Sequence, residues 1–512
     1  MTSLPLSLPS LALTLVFVAC ILVDLRRRRR QRLPPGPRPL PIIGNVHQMP
    51  KEMPWVVFSS WAKTYGDLMY MDFMGQPAII VSDRTAAIEL MEKRSMNYSD
   101  RPVLEMAKLA GFHQTMALEH YNDNWKIQRR LISPDYSPVK VRKYWPLQEK
   151  VTRLFVRNII EDVSALRDNL RLQLGVIILR VTYGYSPQTP EDKFLVGGFT
   201  ALDNFAKVAT PGMWLVDVLP ILKYLPSWLP GTSFLKTAQD WGKHLEDTVR
   251  SPYNWAIENI PTGLSLQPNL VSDVINRHNG KPLNGADENA LVWAAGTMLG
   301  GALETNISVT LTFLMYMILN PEVQRKGQAE LDSVVGHDRL PSISDRADLP
   351  YIRGIITETL RRGPPVPLCT PHAAHEDDVY RGYAIPKGAW IMANIWHMYN
   401  DPEQFPDPEV FSPERYNGDD VEMEKVKGLA FGFGRRTCPG KHFTEALFYS
   451  IVATILATCD VLPGLDVNGK EVLPKVEYEA GSITQPKPFP LRIKPRSPQA
   501  AALLTDVSPA IE

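Results

Sequence analysis

The stretch Phe431-Gly432-Phe433-Gly434-Arg435-Arg436-Thr437-Cys438-Pro439-Gly440 decides how the rest of this 512-residue chain is interpreted. Its glycines allow a tight loop whose backbone can approach a flat ligand closely. Cys438 precedes a helix predicted from about Lys441 to Ala457, and the N-terminus of a helix favours a thiolate. Arg436 lies two residues away and can bind a carboxylate. A thiolate held by backbone donors beside a cation suits ligation of haem iron, with the haem propionates nearby.

The remaining cysteines, Cys20, Cys369 and Cys459, are scattered through the sequence. Because no two cysteines have the Cys-x-x-Cys spacing, neither a disulfide framework nor a zinc site is indicated. Hydrophobic residues make up 44% and charged residues 21%, which is typical of a globular protein. The formal net charge is zero, so composition does not favour nucleic acid as a partner.

The N-terminus predicts one transmembrane helix. Leu4–Leu25 carries a single charge, Asp24, and as a helix it would span roughly 33 Å, enough for a bilayer core. Arg26–Arg30 follow at once, whereas a cleaved signal peptide has its basic residues before the apolar run. Since basic flanks stay in the cytoplasm, the rest of the chain is predicted to be cytoplasmic.

A division of the chain follows from these patterns. Residues 1–25 are the predicted anchor, and residues 26–41 form a basic, proline-rich linker that is stiff rather than flexible. Residues 42–494 are predicted to be one catalytic domain, and residues 495–512 a loose C-terminal tail.

The body is predicted to be mainly α-helical with small β-sheets. Apolar residues at three- and four-residue spacing predict helices. The predicted helices cover residues 55–65, 83–95, 120–133, 140–183 and 441–457, and the predicted strands are Leu68–Phe73, Ala78–Val81 and Trp390–Ile395.

Leu291–Leu319 is apolar apart from Glu304 and a few small polar groups. By hydropathy it is either a second membrane span or a helix buried inside a large domain. A carboxylate near the bilayer centre costs about 3 kcal/mol, and Gly300 and Gly301 weaken a helix there. We therefore expect a buried core helix.

The cysteine loop resembles the haem-binding signature Phe-x-x-Gly-x-Arg-x-Cys-x-Gly of the cytochrome P-450 superfamily at every fixed position. The resemblance implies the cytochrome P-450 fold, preceded here by one transmembrane helix. It also implies that Cys438 binds the iron of haem b. The residues implied to form the cofactor loop are Phe431, Gly434, Arg436 and Gly440.

Glu358-Thr359-Leu360-Arg361 resembles the Glu-x-x-Arg motif of the same family, and it is followed by Pro413-Glu414-Arg415-Tyr416. A glutamate and an arginine three residues apart share a helix face. Most such pairs are surface ion pairs, but the order of the motifs implies a buried Glu358–Arg361–Arg415 network. Its implied role is to hold the segment that carries the cysteine.

Three further matches concern residues that are implied to lie around the cofactor. Trp125 and Arg129 resemble a Trp-x-x-x-Arg pair that contacts a haem propionate, and His372 is a further candidate contact. Helix packing and a structural histidine are the alternatives. Gly301-Ala302-Leu303-Glu304-Thr305 resembles the oxygen-activation motif, which implies that Glu304 and Thr305 relay protons. Ala302 stands where glycine is usual, and the small pair predicts a local opening of the helix.

The resemblance further implies an apolar substrate pocket, although core packing explains its aromatic residues equally well. Trp214 and Trp228 are candidates for membrane contact. The predicted pocket residues are Phe112, Phe205, Val366, Leu368 and Ile483.

The implied activity is insertion of one oxygen atom from O2 into a small lipophilic substrate. No Gly-x-Gly-x-x-Gly fingerprint is present, so electrons from NADPH would come through a separate NADPH–cytochrome P-450 reductase, with cytochrome b5 as a further candidate partner. The protein is expected to lie in the endoplasmic reticulum membrane and to cross it once. Its expected pathway is fungal secondary metabolism of a terpenoid, polyketide or indole. The alternatives are a reductase-independent isomerase or dehydratase and a non-catalytic haem- or lipid-binding membrane protein.

Overall fold

The computed structural model describes residues 32–50, 52–210, 212–280, 283, 285–479, 481 and 483–505. The predicted transmembrane helix and residues 506–512 of the predicted tail lie outside these residues. The described chain divides into two compact units. The first comprises the described residues up to Pro102 together with Pro371–Asn394, and the second comprises Val103–Thr370 and the described chain from Ile395.

The first unit is built on a four-stranded sheet of order β1-β2-β6-β3, with a separate β4–β5 hairpin. β1 and β2 are joined by Met74 and Gly75, both at positive φ, which is the geometry that two-residue hairpin turns favour. β6 runs parallel to β2. The strands are β1 (Leu68–Phe73), β2 (Gln76–Val81), β3 (His372–Ala373), β4 (Asp378–Tyr380), β5 (Tyr383–Ile385) and β6 (Trp390–Ala393).

The first unit also contains three helices and the described part of the linker. The helices are α1 (Pro54–Tyr65), α2 (Arg84–Ile88), which continues as a π-helical turn over Glu89–Lys93, and α3 (Ser95–Tyr98). Gly66 ends α1 at positive φ. The linker packs along β1, because the backbone N–H of Tyr70 donates to the carbonyl oxygen of Pro35 over 2.9 Å.

The second unit is mainly helical and carries one three-stranded sheet of order β8-β7-β9. The strands are β7 (Cys459–Leu465), β8 (Glu471–Val472) and β9 (Leu491–Pro495). The helices are α4 (Glu105–Leu109), α5 (Asp123–Ile132), α6 (Trp145–Glu161), α7 (Leu166–Tyr183), α8 (Lys193–Val208), α9 (Leu215–Val218), α10 (Ser233–Asn259), α11 (Leu270–Arg277), α12 (Gly285–Leu319), α13 (Pro321–Val334), α14 (Pro350–Arg362), α15 (Ile395–Tyr399), α16 (Asp420–Ala430), α17 (Lys441–Thr458) and α18 (Pro498–Ala502).

Helix α12 is the core of the second unit. It packs against α5, α7, α8 and α17, and its apolar stretch is mostly buried inside the protein. The expectation of a buried core helix rather than a second membrane span therefore agrees with the structure.

Three sequence expectations need correction. The helical pattern over 140–183 is interrupted at Asp162, where the chain becomes extended between α6 and α7. The strand predicted to end at Ile395 ends at Ala393, and Ile395 begins α15.

The third correction concerns the tail, which is not loose over residues 495–505. The Ser497 hydroxyl caps α18 by accepting from the N–H of Ala500. Arg496 pairs with Asp332 at 2.6 Å, and Leu504 is buried. The contact between Arg496 and Asp332 joins residues far apart in the chain, so no local pattern in the sequence indicates it.

Candidate functional site

The cysteine loop joins α16 to α17 in the second unit. Gly432 and Gly434 lie at positive φ (78° and 52°), where a side chain would be strained. The N–H of Cys438 donates to the carbonyl oxygen of Phe431 over 2.8 Å, which closes the loop on itself. Gly440 is the N-cap of α17, so Cys438 stands just before the helix as predicted.

The Cys438 side chain is solvent-accessible, although it lies deep among the atoms of the unit. Desolvation raises the pKa of its thiol, while the N–H of Gly440 and the positive charge of Arg129 act in the opposite direction. The backbone donor anticipated from the sequence is therefore present. Because desolvation dominates, the protein alone favours the thiol, and a bound metal cation would have to complete its deprotonation.

Arg129, on α5, lies near Cys438 and is largely shielded from solvent. Desolvation lowers the pKa of its guanidinium, against the influence of Cys438. Among the residues that the structure describes, no carboxylate or carbonyl pairs with this guanidinium. An iron porphyrin needs a ligand for its iron and a cation for its carboxylate side chains. The accessible sulfur of Cys438 and the shielded guanidinium of Arg129 can supply these, so the residues present fit a haem.

Arg436 and Trp125 both bond to the segment that precedes α5. The buried guanidinium of Arg436 donates to the carbonyl oxygens of Met116 (3.2 Å) and Glu119 (2.7 Å). It also lies 4.4 Å above the ring of Trp125. The indole Nε1–H of Trp125 also donates to the carbonyl oxygen of Met116, over 3.2 Å. These two side chains thus fix the chain before α5, and a contact of either one with a haem propionate stays a prediction.

His372 lies in the first unit, on β3, and is buried. Its ring atom Nδ1 is 2.6 Å from the carbonyl oxygen of Tyr98, so an Nδ1–H donates to that carbonyl and fixes the tautomer. Its predicted contact with the cofactor stays a prediction.

Helix α12 passes the cysteine loop at Met298. A Cβ built on Gly440 would lie 3.8 Å from both Cys438 Sγ and Met298 Cε. One turn further on, a Cβ built on Gly301 would have no neighbour within 4 Å. α12 therefore presents a small, open surface next to the approach to the sulfur.

The predicted local opening of α12 is not an interruption of the helix, which runs unbroken through Gly285–Leu319. Instead, two successive side chains bond back to carbonyls one turn earlier. The Thr305 hydroxyl donates to Gly301 over 2.8 Å, and the Asn306 amide donates to Ala302 over 2.6 Å. Such bonds tend to bend a helix without breaking it.

Glu304 is half-buried on the same stretch of α12, and its Oε2 accepts a hydrogen bond from the amide Nε2 of Gln485. Desolvation raises the pKa of the carboxyl, and Arg171 is the largest opposing influence. Gln485 was not predicted, because a glutamine 181 residues away leaves no local pattern in the sequence.

Glu358, Arg361 and Arg415 come together as the sequence predicted. Glu358 and Arg361 are fully buried and form two hydrogen bonds of 2.8 and 2.7 Å. The Nε of Arg415 donates to Glu358 over 3.1 Å, and the Tyr416 hydroxyl donates to it over 2.7 Å. Arg361 also donates to the carbonyl oxygens of residues 399 and 410. These bonds hold α14 to the chain that precedes α16 and the cysteine loop.

The predicted pocket residues form two groups. The rings of Phe112 and Phe205 meet edge to face, with centroids 5.9 Å apart. Val366, Leu368 and Ile483 are each partly exposed, and the segments that carry them are tied by the N–H of Thr484 donating to Pro365 over 2.8 Å.

The basic side chains on α5 and around the cysteine loop are partly compensated by neighbouring side chains. Lys126 pairs with Asp123 at 2.9 Å, Arg130 lies 4.0 Å from Asp287, and Lys441 pairs with Glu424. Arg435 bonds instead to the hydroxyl of Tyr121 over 2.5 Å. The surface is therefore less positive than the sequence alone indicates.

A mainly helical unit with a long core helix beside a glycine-rich cysteine loop defines the class of haem-thiolate proteins. A family model described as Cytochrome P450 matches residues 34–492, and the chain belongs to this family. It is therefore an enzyme of the cytochrome P-450 monooxygenase type, whose family cofactor is haem.

The relatives are fungal. The chain is 46% identical to Cytochrome P450 monooxygenase 105 of Postia placenta over 98% of this chain and 97% of the relative. It is 38% identical to Cytochrome P450 monooxygenase claR of Ampulloclitocybe clavipes, over 93% of this chain and 89% of that protein. A zebrafish cytochrome P450 solved with abiraterone shares the fold, with a TM-score of 0.69 and 22% identity over 87% of this chain and all of that chain.

Proposed function

We propose that the protein inserts one oxygen atom from O2 into a small lipophilic substrate, with electrons from NADPH delivered by a separate reductase. The observation that carries this proposal is the accessible sulfur of Cys438 just before α17, near the guanidinium of Arg129, which pairs with none of the described residues. Haem b, when bound, supplies the activation of dioxygen. Cys438 would bind the haem iron through its sulfur, and Arg129 would bind a propionate.

Glu304 and Thr305 are the proposed proton donors to the oxygen side of the site. Desolvation raises the pKa of Glu304, which favours the protonated form that a general acid requires. Thr305 lies one residue further along and is partly exposed, so a water molecule can bond to its hydroxyl. The open surface at Gly301 leaves room for that water next to the two side chains.

The substrate is proposed to be apolar because the predicted pocket residues are all apolar, and two of them, Phe112 and Phe205, are aromatic and in contact. The zebrafish relative by fold was solved with progesterone as well as with abiraterone, which supports a lipophilic ligand for this fold. The fungal relatives support a place in secondary metabolism. A terpenoid, polyketide or indole is the substrate class that we propose for it.

Membrane association at the endoplasmic reticulum is part of the proposal. Around α9 the chain exposes large apolar side chains that a lipid surface would cover. They are Met213 (52% exposed), Leu215 (59%), Ile221 (72%), Tyr224 (77%) and Trp228 (78%). This surface, together with the apolar run at residues 4–25, supports a catalytic unit held against the membrane, where NADPH–cytochrome P-450 reductase and cytochrome b5 are the proposed redox partners.

The test is the spectrum of the reduced protein with carbon monoxide. The wild type should show the absorption typical of thiolate-bound haem, and Cys438→Ala should lose it because no other described cysteine stands before α17. Cys459→Ala, at a buried cysteine in β7, is the matched control and should retain the spectrum. A thiolate-type spectrum in Cys438→Ala would overturn the proposal.

A second measurement separates the monooxygenase from a reductase-independent isomerase. Oxidation of a lipophilic substrate should require both NADPH and added reductase. Conversion of a peroxide in their absence, with no NADPH-dependent product, would favour the isomerase.

A further inference from the structure

The amide of Gln485 occupies a position between two charged side chains. Its Nε2 donates to the Glu304 carboxylate, and its Oε1 accepts from Nη1 of Arg167 over 3.2 Å. A guanidinium can only donate and a carboxylate can only accept, so the amide has one possible orientation. Gln485 therefore links an acid on α12 to a cation on α7.

Two hydrogen bonds of the neighbouring residue Thr484 fix the backbone next to Gln485. Thr484 donates through its hydroxyl to Pro364 over 3.1 Å, and its carbonyl oxygen accepts from Ser308 over 2.5 Å. Ser308 lies one turn after Glu304 on α12. Because Ser308 and Glu304 lie on the same helix, the bond between Ser308 and Thr484 also holds Gln485 close to Glu304.

Arg167 secures the other side of the amide. Its Nη2 donates to the carbonyl oxygen of Pro486 over 2.9 Å and lies 4.0 Å from Glu479, which is about half exposed. Arg167 is itself partly exposed. A series of contacts therefore leads from α12 to the surface through the side chains of Glu304, Gln485, Arg167 and Glu479.

The acid and the alcohol of α12 are not bonded to each other. Thr305 donates to Gly301, whereas Glu304 is held by Gln485. The carboxylate must leave the amide, or reach Thr305 through water, before a proton passes between the two side chains.

We propose that Gln485 is a positioning residue that holds the Glu304 carboxylate on the Arg167 side and so controls when Glu304 reaches Thr305. This inference rests on the proposed monooxygenase function. The neutral amide connects the acid to the surface arginine without a direct ion pair, which would bind the carboxylate more tightly. Loss of the amide frees the carboxylate and removes one of the influences that favour its ionised form.

The decisive variant is Gln485→Glu, which keeps the shape and the acceptor for Arg167 but replaces the donor to Glu304 with an oxygen. Gln485→Met keeps the volume and removes both hydrogen bonds. Gln499→Glu, an exposed glutamine whose amide bonds to His337, is the matched control for the added charge.

The first readout does not require turnover. Infrared difference spectra of the full-length holoprotein with isotope-labelled glutamate, assigned by comparison with Glu304→Gln, give the midpoint pH of the Glu304 carboxyl. We expect the midpoint to rise by about one pH unit in Gln485→Glu and in Gln485→Met, since a hydrogen bond to a charged group has this order of effect. Gln499→Glu should leave the midpoint where it is in the wild type.

The second readout is coupling, measured with added reductase as product and hydrogen peroxide formed per NADPH consumed. Both Gln485 variants should form less product and more peroxide, with the carbon monoxide spectrum unchanged. If the wild type turns over and both variants match it in midpoint and coupling, the positioning role is wrong. Should one variant fail to bind haem, the other decides. A wild type without the thiolate-type spectrum would instead overturn the proposed function.

Discussion

The two charged clusters of the second unit are constructed in opposite ways. Around Glu358, the carboxylate and Arg361 are fully buried, and every guanidinium nitrogen of Arg361 donates a hydrogen bond. The pKa of the Glu358 carboxyl is lowered, because its hydrogen bonds and its arginine partners outweigh desolvation. Around Cys438, the guanidinium of Arg129 is shielded but has no partner in the part of the chain that the structure describes, and desolvation raises the pKa of the thiol. A saturated cluster stabilises the fold, whereas an unsaturated one is ready for a ligand.

The largest expected effect tests the saturated cluster. Arg361→Met should lower the free energy of unfolding by about 3–5 kcal/mol, because it leaves Glu358 charged and buried with too few partners. Urea unfolding and the yield of haem-containing protein measure it. Arg339→Met, at an exposed arginine that pairs with Asp345, should cost less than about 1 kcal/mol. Equal losses in the two variants would contradict the comparison.

The next effect tests the unsaturated cluster. Arg129→Met should leave the unfolding of the haem-free protein unchanged, since no hydrogen bond with a described residue is lost. Haem affinity should fall by roughly tenfold to a hundredfold, the range for one charge-assisted hydrogen bond. Haem transfer to a scavenger protein measures it. Arg130→Met, at the neighbouring exposed arginine, is the control and should retain haem. A stability loss without haem loss in Arg129→Met would assign Arg129 to the fold.

The difference between the clusters also shows what the sequence can predict. The cysteine loop and the Glu358–Arg361 pair were predictable because their residues lie within ten positions of one another and follow helix and loop spacing. The sequence did not show which of the two arginines near the cysteine, Arg129 or Arg436, already has hydrogen-bond partners within the protein. Arg436 bonds to carbonyls 317 and 320 residues away, which no local spacing records. Gln485 was missed for the same reason.

A third effect concerns Asp217, a partly buried carboxyl with one unsatisfied oxygen. Its Oδ1 accepts from the N–H of Met106 over 2.8 Å, while its buried Oδ2 has no partner among the described residues. Desolvation, opposed by backbone hydrogen bonds and reinforced by Glu105, raises its pKa to about 6. Glu105 is in turn paired with Lys223 at 2.9 Å.

Because the folded pKa of Asp217 lies above its ordinary value near 4, its protonated form stabilises the fold at low pH. That contribution is fully present below about pH 4 and is lost as the pH rises through 6. Asp217→Asn keeps the Oδ1 acceptor and removes the charge. It should match the wild type near pH 4 and be more stable at pH 8 by up to about 2 kcal/mol, a figure reduced by partial exposure. Urea unfolding across this range measures the difference, and a constant difference at all pH values would contradict it.

The smallest effect compares two buried tyrosines. The Tyr416 hydroxyl donates to Glu358 over 2.7 Å, whereas the hydroxyl of Tyr183 is buried without a partner among the described residues. Tyr416→Phe should lower the free energy of unfolding by about 1–2 kcal/mol, because Glu358 loses one donor but keeps Arg361 on the same oxygen. Tyr183→Phe should change it by less than about 0.5 kcal/mol or raise it, because no hydrogen bond is lost and a buried polar atom is removed. If the two substitutions had equal costs in urea unfolding, hydrogen-bond saturation would not be what distinguishes the structural cluster from the site around Cys438.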